Sequence, residues 1–207
     1  CFGKLEPFGI SFGGRPADKV MPGGILLRDA TFVYINYGEN YRDPYQIDWD
    51  AGRGEFLLKE GEDVIDTVDF VPRPQFFGKT TSKGTPMEAV AEARAQKLIL
   101  TAYQKCRLWE GGKQCHFCAF FTGGHSLGEV DCEDVYETVR EALKEPGRFS
   151  EIYLSGGTDF GGEPPFSREV ERYIRVLQAI GRNFSGRFSS QLMAPAYSRK
   201  VLEHIYK

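Results

Sequence analysis

A chain of 207 residues that is 41% apolar and 27% charged has enough core-forming and surface-forming residues for a globular protein of one domain or one and a half. The formal net charge of -3 leaves no electrostatic case for nucleic acid or a membrane surface. No apolar stretch approaches the roughly 18 residues of a membrane span, and the first residues lack the basic start and apolar run of a signal peptide, so the chain is expected to be cytoplasmic. It begins at Cys1 rather than Met, which fits a numbering that starts inside a longer gene product.

Residues 1–83 are expected to form a β-rich segment. Strand-like runs at 31–36, 45–49, 55–59 and 64–71 are separated by Gly, Asn, Asp and Pro clusters, and Ala51-Gly52-Arg53-Gly54 suits a hairpin turn. The aromatic residues Phe32, Tyr34, Tyr37, Tyr41, Tyr45 and Trp49 are assigned to sheet core and edge. Residues 84–207 change character. Thr85-Pro86-Met87-Glu88 has the spelling of a capping box with proline at the first helical position, predicting a helix to about Arg94.

From Lys97 onward strands and helices alternate. A buried-strand run at 98–103 leads into a cysteine-rich loop. A helix follows from about Asp131 to Glu145, with Val135, Val139 and Leu143 on one face. A second strand at 151–155 runs into glycines. Ser167 is placed to cap the next helix, whose face is Val170, Ile174, Leu177 and Ile180 and which Gly181 ends. A third strand covers 187–193, and a last helix begins near Ser198. This alternation predicts a parallel sheet with right-handed crossovers.

Three thiols, Cys106, Cys115 and Cys118, lie within the stretch CRLWEGGKQCHFC directly after the first of these strands. Reduced thiols and metal account for them better than disulfides, since the cysteine count is the odd number 5 and three are crowded together. Three protein ligands leave one coordination position of a tetrahedral metal or an iron-sulfur cube open, the arrangement of a catalytic rather than a closed structural site. After the neighbouring strand comes Ser155-Gly156-Gly157-Thr158, where the paired glycines let a ligand approach the backbone. Taken alone, a glycine pair is an ordinary turn. Ligands in parallel α/β folds gather at the carboxyl ends of strands, and both loops lie there.

The combination resembles the N-terminal half of a radical S-adenosylmethionine enzyme over residues 97 to 207. In that superfamily three cysteines after the first barrel strand hold a 4Fe-4S cluster, usually spaced CxxxCxxC with an aromatic before the last. Cys115-His116-Phe117-Cys118 matches the second half of that motif, whereas eight residues, Trp109 to Lys113 among them, separate Cys106 from Cys115. A loop absorbs the extra residues at small entropic cost. The resemblance implies a partial or complete TIM-type (β/α) barrel whose first three βα units are present here. It implies that Cys106, Cys115 and Cys118 ligate the cluster and that S-adenosylmethionine chelates the open iron. Phe117 is then expected beside the adenine, and Ser155, Gly156, Gly157 and Thr158 beside the cofactor's amino group. The family spelling GGE also occurs at Gly161-Gly162-Glu163, which makes Glu163 a second candidate, and Gln191 on the third strand could add a polar contact.

The implied reaction is reductive cleavage of S-adenosylmethionine to a 5'-deoxyadenosyl radical that acts on an unidentified substrate, fed by an external one-electron reductant. Three strands cannot close a barrel, so a continuation past Lys207 or a partner chain is expected. The rival from another class is a noncatalytic metal-binding or electron-transfer module with a zinc or iron-sulfur site. His116, His125 or Cys132 would then supply a fourth ligand.

Overall fold

A computed structural model describes residues 10–13, 20–34, 45–116, 118, 128–193, 195 and 197–206. The chain divides into two compact units, residues 1–73 and 74–207.

The first unit is a six-stranded sheet built from β1 (Ile10–Gly13), β2 (Val20–Leu27), β3 (Phe32–Tyr34), β4 (Tyr45–Asp50), β5 (Glu55–Glu60) and β6 (Asp63–Pro72), in the spatial order β1-β4-β5-β6-β2-β3. The expected hairpin joins β4 to β5. Asp50 accepts from the backbone N–H groups of Gly52 and Arg53 at 2.9 and 3.1 Å, and Gly54 closes the turn at φ +69, a conformation natural to glycine. Its core is Ile25, Val33, Tyr45, Ile47, Leu58 and Val68. Tyr45 is a core residue and Trp49 a half-exposed one whose ring is tilted against Phe56, while Tyr37 and Tyr41 lie outside the described residues. Two strands, β1 and β2, escaped the sequence. β2 contains Pro22, Gly23 and Gly24, which read as turn signals, and its pairing with β6 is irregular across that stretch.

The second unit carries α1 (Met87–Val90), β7 (Ala91–Arg94), β8 (Lys97–Thr101), α2 (Arg107–Glu110), α3 (Cys132–Ala142), β9 (Glu151–Ser155), α4 (Ser167–Gly181), β10 (Ser190–Leu192) and α5 (Arg199–Tyr206). Its sheet has the order β10-β9-β8-β7; β8, β9 and β10 are parallel, and β7 is antiparallel to β8. Three consecutive parallel strands separated by helices are what the alternation predicted, so the fold is mixed α/β. The sheet is open, however, and no barrel closes among the described residues. Three parallel strands are too few to close one, and β7 pairs antiparallel along the other edge of β8.

That strand replaces the end of the predicted helix, which makes one turn and stops at Val90. From Ala91 the pattern has period two, with Ala91 and Ala93 buried and Glu92 and Arg94 exposed and ion-paired at 3.0 Å. The capping box does not form. The Thr85 hydroxyl donates to Asp134 at 2.7 Å, and the Glu88 carboxylate accepts from the Gly78 N–H at 2.7 Å.

The boundary falls ten residues before the expected one because residues 74–83 belong to the second unit. Phe76 is fully buried in that unit's core, and segment 79–85 is strapped to α3. Lys79 pairs with Glu141 at 2.7 Å, Ser82 with Glu137 and Lys83 with Asp131 at 2.6 Å, while Thr81 and Thr85 donate to Asp134. α3 begins as expected, with the Asp131 side chain capping Glu133 and Asp134. It stops at Ala142, leaving Leu143 as a half-exposed C-cap rather than a core residue. Phe166, not Ser167, is the N-cap of α4, and the buried face of that helix is Val170, Tyr173, Val176, Ala179 and Ile180. Ile174 and Leu177 only flank it.

Helices α3 and α4 cover one face of this sheet, burying Leu98, Leu100, Ile152 and Leu154. The opposite face carries Ile99, Tyr153 and Gln191 in register, with Thr101 beside Ser155. Among the described residues no helix is long and apolar enough to cross a membrane.

Candidate functional site

The carboxyl ends of β8 and β9 are stitched together beyond the sheet. Ala102 N–H donates to the Ser155 carbonyl at 2.8 Å, Gly157 N–H to the Tyr103 carbonyl at 2.8 Å, and Arg107 N–H to the Thr158 carbonyl at 2.9 Å. These bonds run past Cys106, so main-chain contacts hold the first cysteine against the Ser-Gly-Gly-Thr turn. Contact is closest at buried Gly157. A Cβ there would fall inside the Lys105 carbonyl and stand 2.8 Å from the Cys106 Cβ, so only glycine permits this approach. The fit is looser at Gly156, where a Cβ would stand 3.0 Å from the Tyr173 hydroxyl and 3.3 Å from the Tyr103 nitrogen.

Cys106 is half-buried and caps α2, its carbonyl accepting from Trp109 and Glu110 at 3.0 and 3.1 Å. Cys115 is exposed, and its carbonyl accepts from the Cys118 N–H at 3.0 Å. Cys118 is half-buried, and its sulfur accepts from the Trp109 indole N–H at 3.4 Å. All three are free thiols, as is Cys132, the first residue of α3. Burial pushes the Cys132 thiol up, the Arg175 charge opposing this. Three soft sulfur donors on one strand-end loop suit an iron-sulfur cluster or zinc. Among the described residues no group of three or more His, Cys, Asp or Glu side chains is drawn together to hold a single metal ion. His116 is exposed; Phe117 and His125 lie outside the described residues.

Ser155 ends β9 and is half-buried with Thr158, and Gln191 is exposed on β10 on the face away from the helices. Glu163 is exposed and belongs to a different arrangement from the first glycine pair. The Gly161 N–H donates to Asp159 Oδ1 at 3.0 Å and its carbonyl accepts from Arg168 N–H, so the second GGE copy folds back on the start of α4. It does not touch the cysteine loop through these bonds.

Sequence reasoning missed the groups that hold this loop. Asp159, next after Thr158, is 1% exposed and receives Arg172 Nη1 at 2.8 Å and Arg168 Nη2 at 3.3 Å. Burial works against its charge, but the Arg172 and Gly161 hydrogen bonds and the two guanidinium charges outweigh that, and its carboxyl lies below the usual range. Arg172 stacks over the Tyr103 ring with its guanidinium carbon 4.1 Å from the centroid and bonds Glu129 at 3.1 Å. Buried Glu169 accepts from the Asp159 N–H at 2.6 Å and from the Tyr197 hydroxyl; burial raises its carboxyl above the ordinary value. The sequence offered one signal, an aspartate following the GGT turn, with arginines at i+9 and i+13 on the next helix.

The class defined by fold and site is therefore an α/β protein whose mixed sheet carries, at the ends of its parallel strands, a three-thiol loop bonded beside Cys106 to a glycine turn. Comparison with protein-family models, with curated proteins and with solved structures gives no match.

Proposed function

We propose that the second unit is the cofactor-binding part of a radical S-adenosylmethionine enzyme. Cys106, Cys115 and Cys118 are assigned to a 4Fe-4S cluster, and Gly156, Gly157 and Thr158 to the methionine end of S-adenosylmethionine. The observation that carries the reading is the main-chain stitching of Cys106 to the Ser155–Thr158 turn, because the chemistry requires cluster ligand and cofactor turn side by side. When bound, the cluster and S-adenosylmethionine supply one-electron cleavage of a carbon-sulfur bond to give methionine and a 5'-deoxyadenosyl radical, the electron coming from an external reductant.

The protein's own part is orientation. The Gly157 N–H bonds the Tyr103 carbonyl, and the Ser155 and Thr158 carbonyls accept from Ala102 and Arg107, which fixes the turn against the segment that runs from β8 through Cys106. The first glycine pair is favoured over Glu163 because it, and not the second copy, abuts the cysteine loop. Gln191 and Ser155 lie on the sheet face opposite the one that α3 and α4 cover, where a cofactor would rest.

The test is anaerobic reconstitution with iron and sulfide, followed by S-adenosylmethionine and dithionite. Formation of 5'-deoxyadenosine supports the reading. An intact cluster without that product points to an electron-transfer module, and tightly bound zinc without iron uptake to a zinc module; either defeats the proposal.

A further inference from the structure

The eight residues between Cys106 and Cys115 contain a helical turn, α2, that a three-residue spacer has no room for. The turn is firmly placed. Its first N–H is held by the Thr158 carbonyl at 2.9 Å, Gly111 and Gly112 bond back to Arg107 and Trp109 at 3.0 and 3.1 Å, and Arg107 pairs with Glu110 at 3.0 Å. From this support the Trp109 indole spans nine positions and places Nε1 3.4 Å from the Cys118 sulfur. Indole N–H is a donor and never an acceptor, so the direction of the bond is settled: nitrogen donates and sulfur accepts.

We infer that Trp109 is a positioning and tuning residue for the metal-binding loop, donating to the Cys118 sulfur so that negative charge on it is stabilised. The inference rests on the proposed assignment of Cys118 as a ligand. Hydrogen bonds to cluster sulfurs are one of the protein's means of setting the reduction potential. A donor favours the more negative, reduced state and so raises the potential. The longer first spacing thereby gains a purpose: it houses the donor. Phenylalanine at the same position would keep an aromatic ring and lose the N–H.

The experiment compares wild type with Trp109→Phe after anaerobic loading with iron and sulfide, reading the midpoint potential by redox titration followed in the electron paramagnetic resonance spectrum. Trp49→Phe, in the other unit, is the control. The expected result is a midpoint lowered by roughly threefold to tenfold in the one-electron equilibrium, up to about 59 mV, with cluster content unchanged. An unchanged midpoint at equal cluster content overturns the inference and leaves the functional reading standing.

If no cluster assembles, the reading has failed and the inference is tested with Co²⁺ alone, where Trp109→Phe should move the sulfur-to-cobalt charge-transfer band to lower energy. An unmoved band overturns it. Should Trp109→Phe not fold, Trp49→Phe keeps Trp109 as the one indole in the chain. Its fluorescence should then be quenched as Co²⁺ binds, and undiminished emission overturns the inference. Failure to take up either iron or cobalt overturns both proposals.

Discussion

Asp159 shows how a single carboxylate holds a strand-end turn in place. It is buried, yet ionised, because two guanidinium groups and a backbone N–H are aimed at it. Asp159→Asn removes the charge and leaves the half-buried Arg172 with Glu129 and the Tyr103 ring, so a loss of about 3 kcal/mol is expected at neutral pH by urea denaturation. The pH dependence has a definite sign. A carboxyl lowered in the folded state stabilises above its ordinary value of 3.8, and that contribution fades as pH falls through the lowered value. The gap between wild type and Asp159→Asn should therefore narrow from neutral pH into acid. Glu169 works oppositely: its raised carboxyl stabilises when protonated, and stability is lost as pH rises from 4.5 through the raised value. A gap between wild type and Asp159→Asn that stays constant with pH would show that the aspartate acts by shape alone. The cysteines and glycines of this site are legible because their chemistry or conformational freedom marks them wherever they stand. Asp159 and Glu169 are not, since an acidic residue after a turn or on a helix normally faces water, and only the tertiary fold brings Arg168, Arg172 and Tyr197 to them.

At the scale of elements, the sequence is informative where periodicity and burial agree and misleading where a tertiary partner overrides a local signal. β9 occupies 151–155 as expected, and α3 starts at the expected place, just after Asp131, because each depends on its own residues. The 85–94 segment went the other way. Thr85 and Glu88 have the right spacing for a capping box, but their side chains serve Asp134 and Gly78, and the β8 edge offers residues 91–94 a full ladder of hydrogen bonds. Asp134, Glu137 and Glu141 look like a solvated helix face, yet Asp134 is 4% exposed and accepts two threonine hydroxyls at 2.7 Å. These contacts bind the 79–85 strap to α3. Asp134→Ala should leave the Thr81 and Thr85 hydroxyls without their acceptor and cost about 2 to 3 kcal/mol. Hydrogen exchange should show the strap amides, including Thr81 bonded to the Thr85 carbonyl, losing protection while β8 and β9 keep theirs. Unaltered exchange in the strap would mean that its own turn, not Asp134, holds it.

At the scale of the whole molecule, the main buried cluster of each unit sets what can fold alone. The first unit closes around Ile25, Tyr45, Ile47 and Leu58, and the second around Phe76, Leu98, Leu100, Val135, Leu154 and Ile180; neither cluster draws a residue from the other unit. Each fully buried aliphatic side chain contributes about 1.5 to 3 kcal/mol, so the second core, with 17 buried residues, has ample apolar surface of its own. Every residue assigned to the cluster and to the cofactor turn also lies in that unit, as do Asp159, Glu169 and Arg172. A fragment of residues 74–207 should consequently retain the α/β circular dichroism expected of its elements, unfold in urea with a single transition, and take up iron and sulfide to the same extent as the 207-residue chain. The fragment 1–73 should bind none, since Cys1 is its one cysteine and a single thiol cannot hold a four-iron cluster. If 74–207 folded but lost iron uptake, the first unit would have to contribute to the cysteine loop, and the cluster assignment would need a ligand or a covering segment from outside the second unit. If it failed to fold, the separation of the two cores would not extend to stability, and the β-rich unit would be part of the scaffold on which the parallel sheet depends.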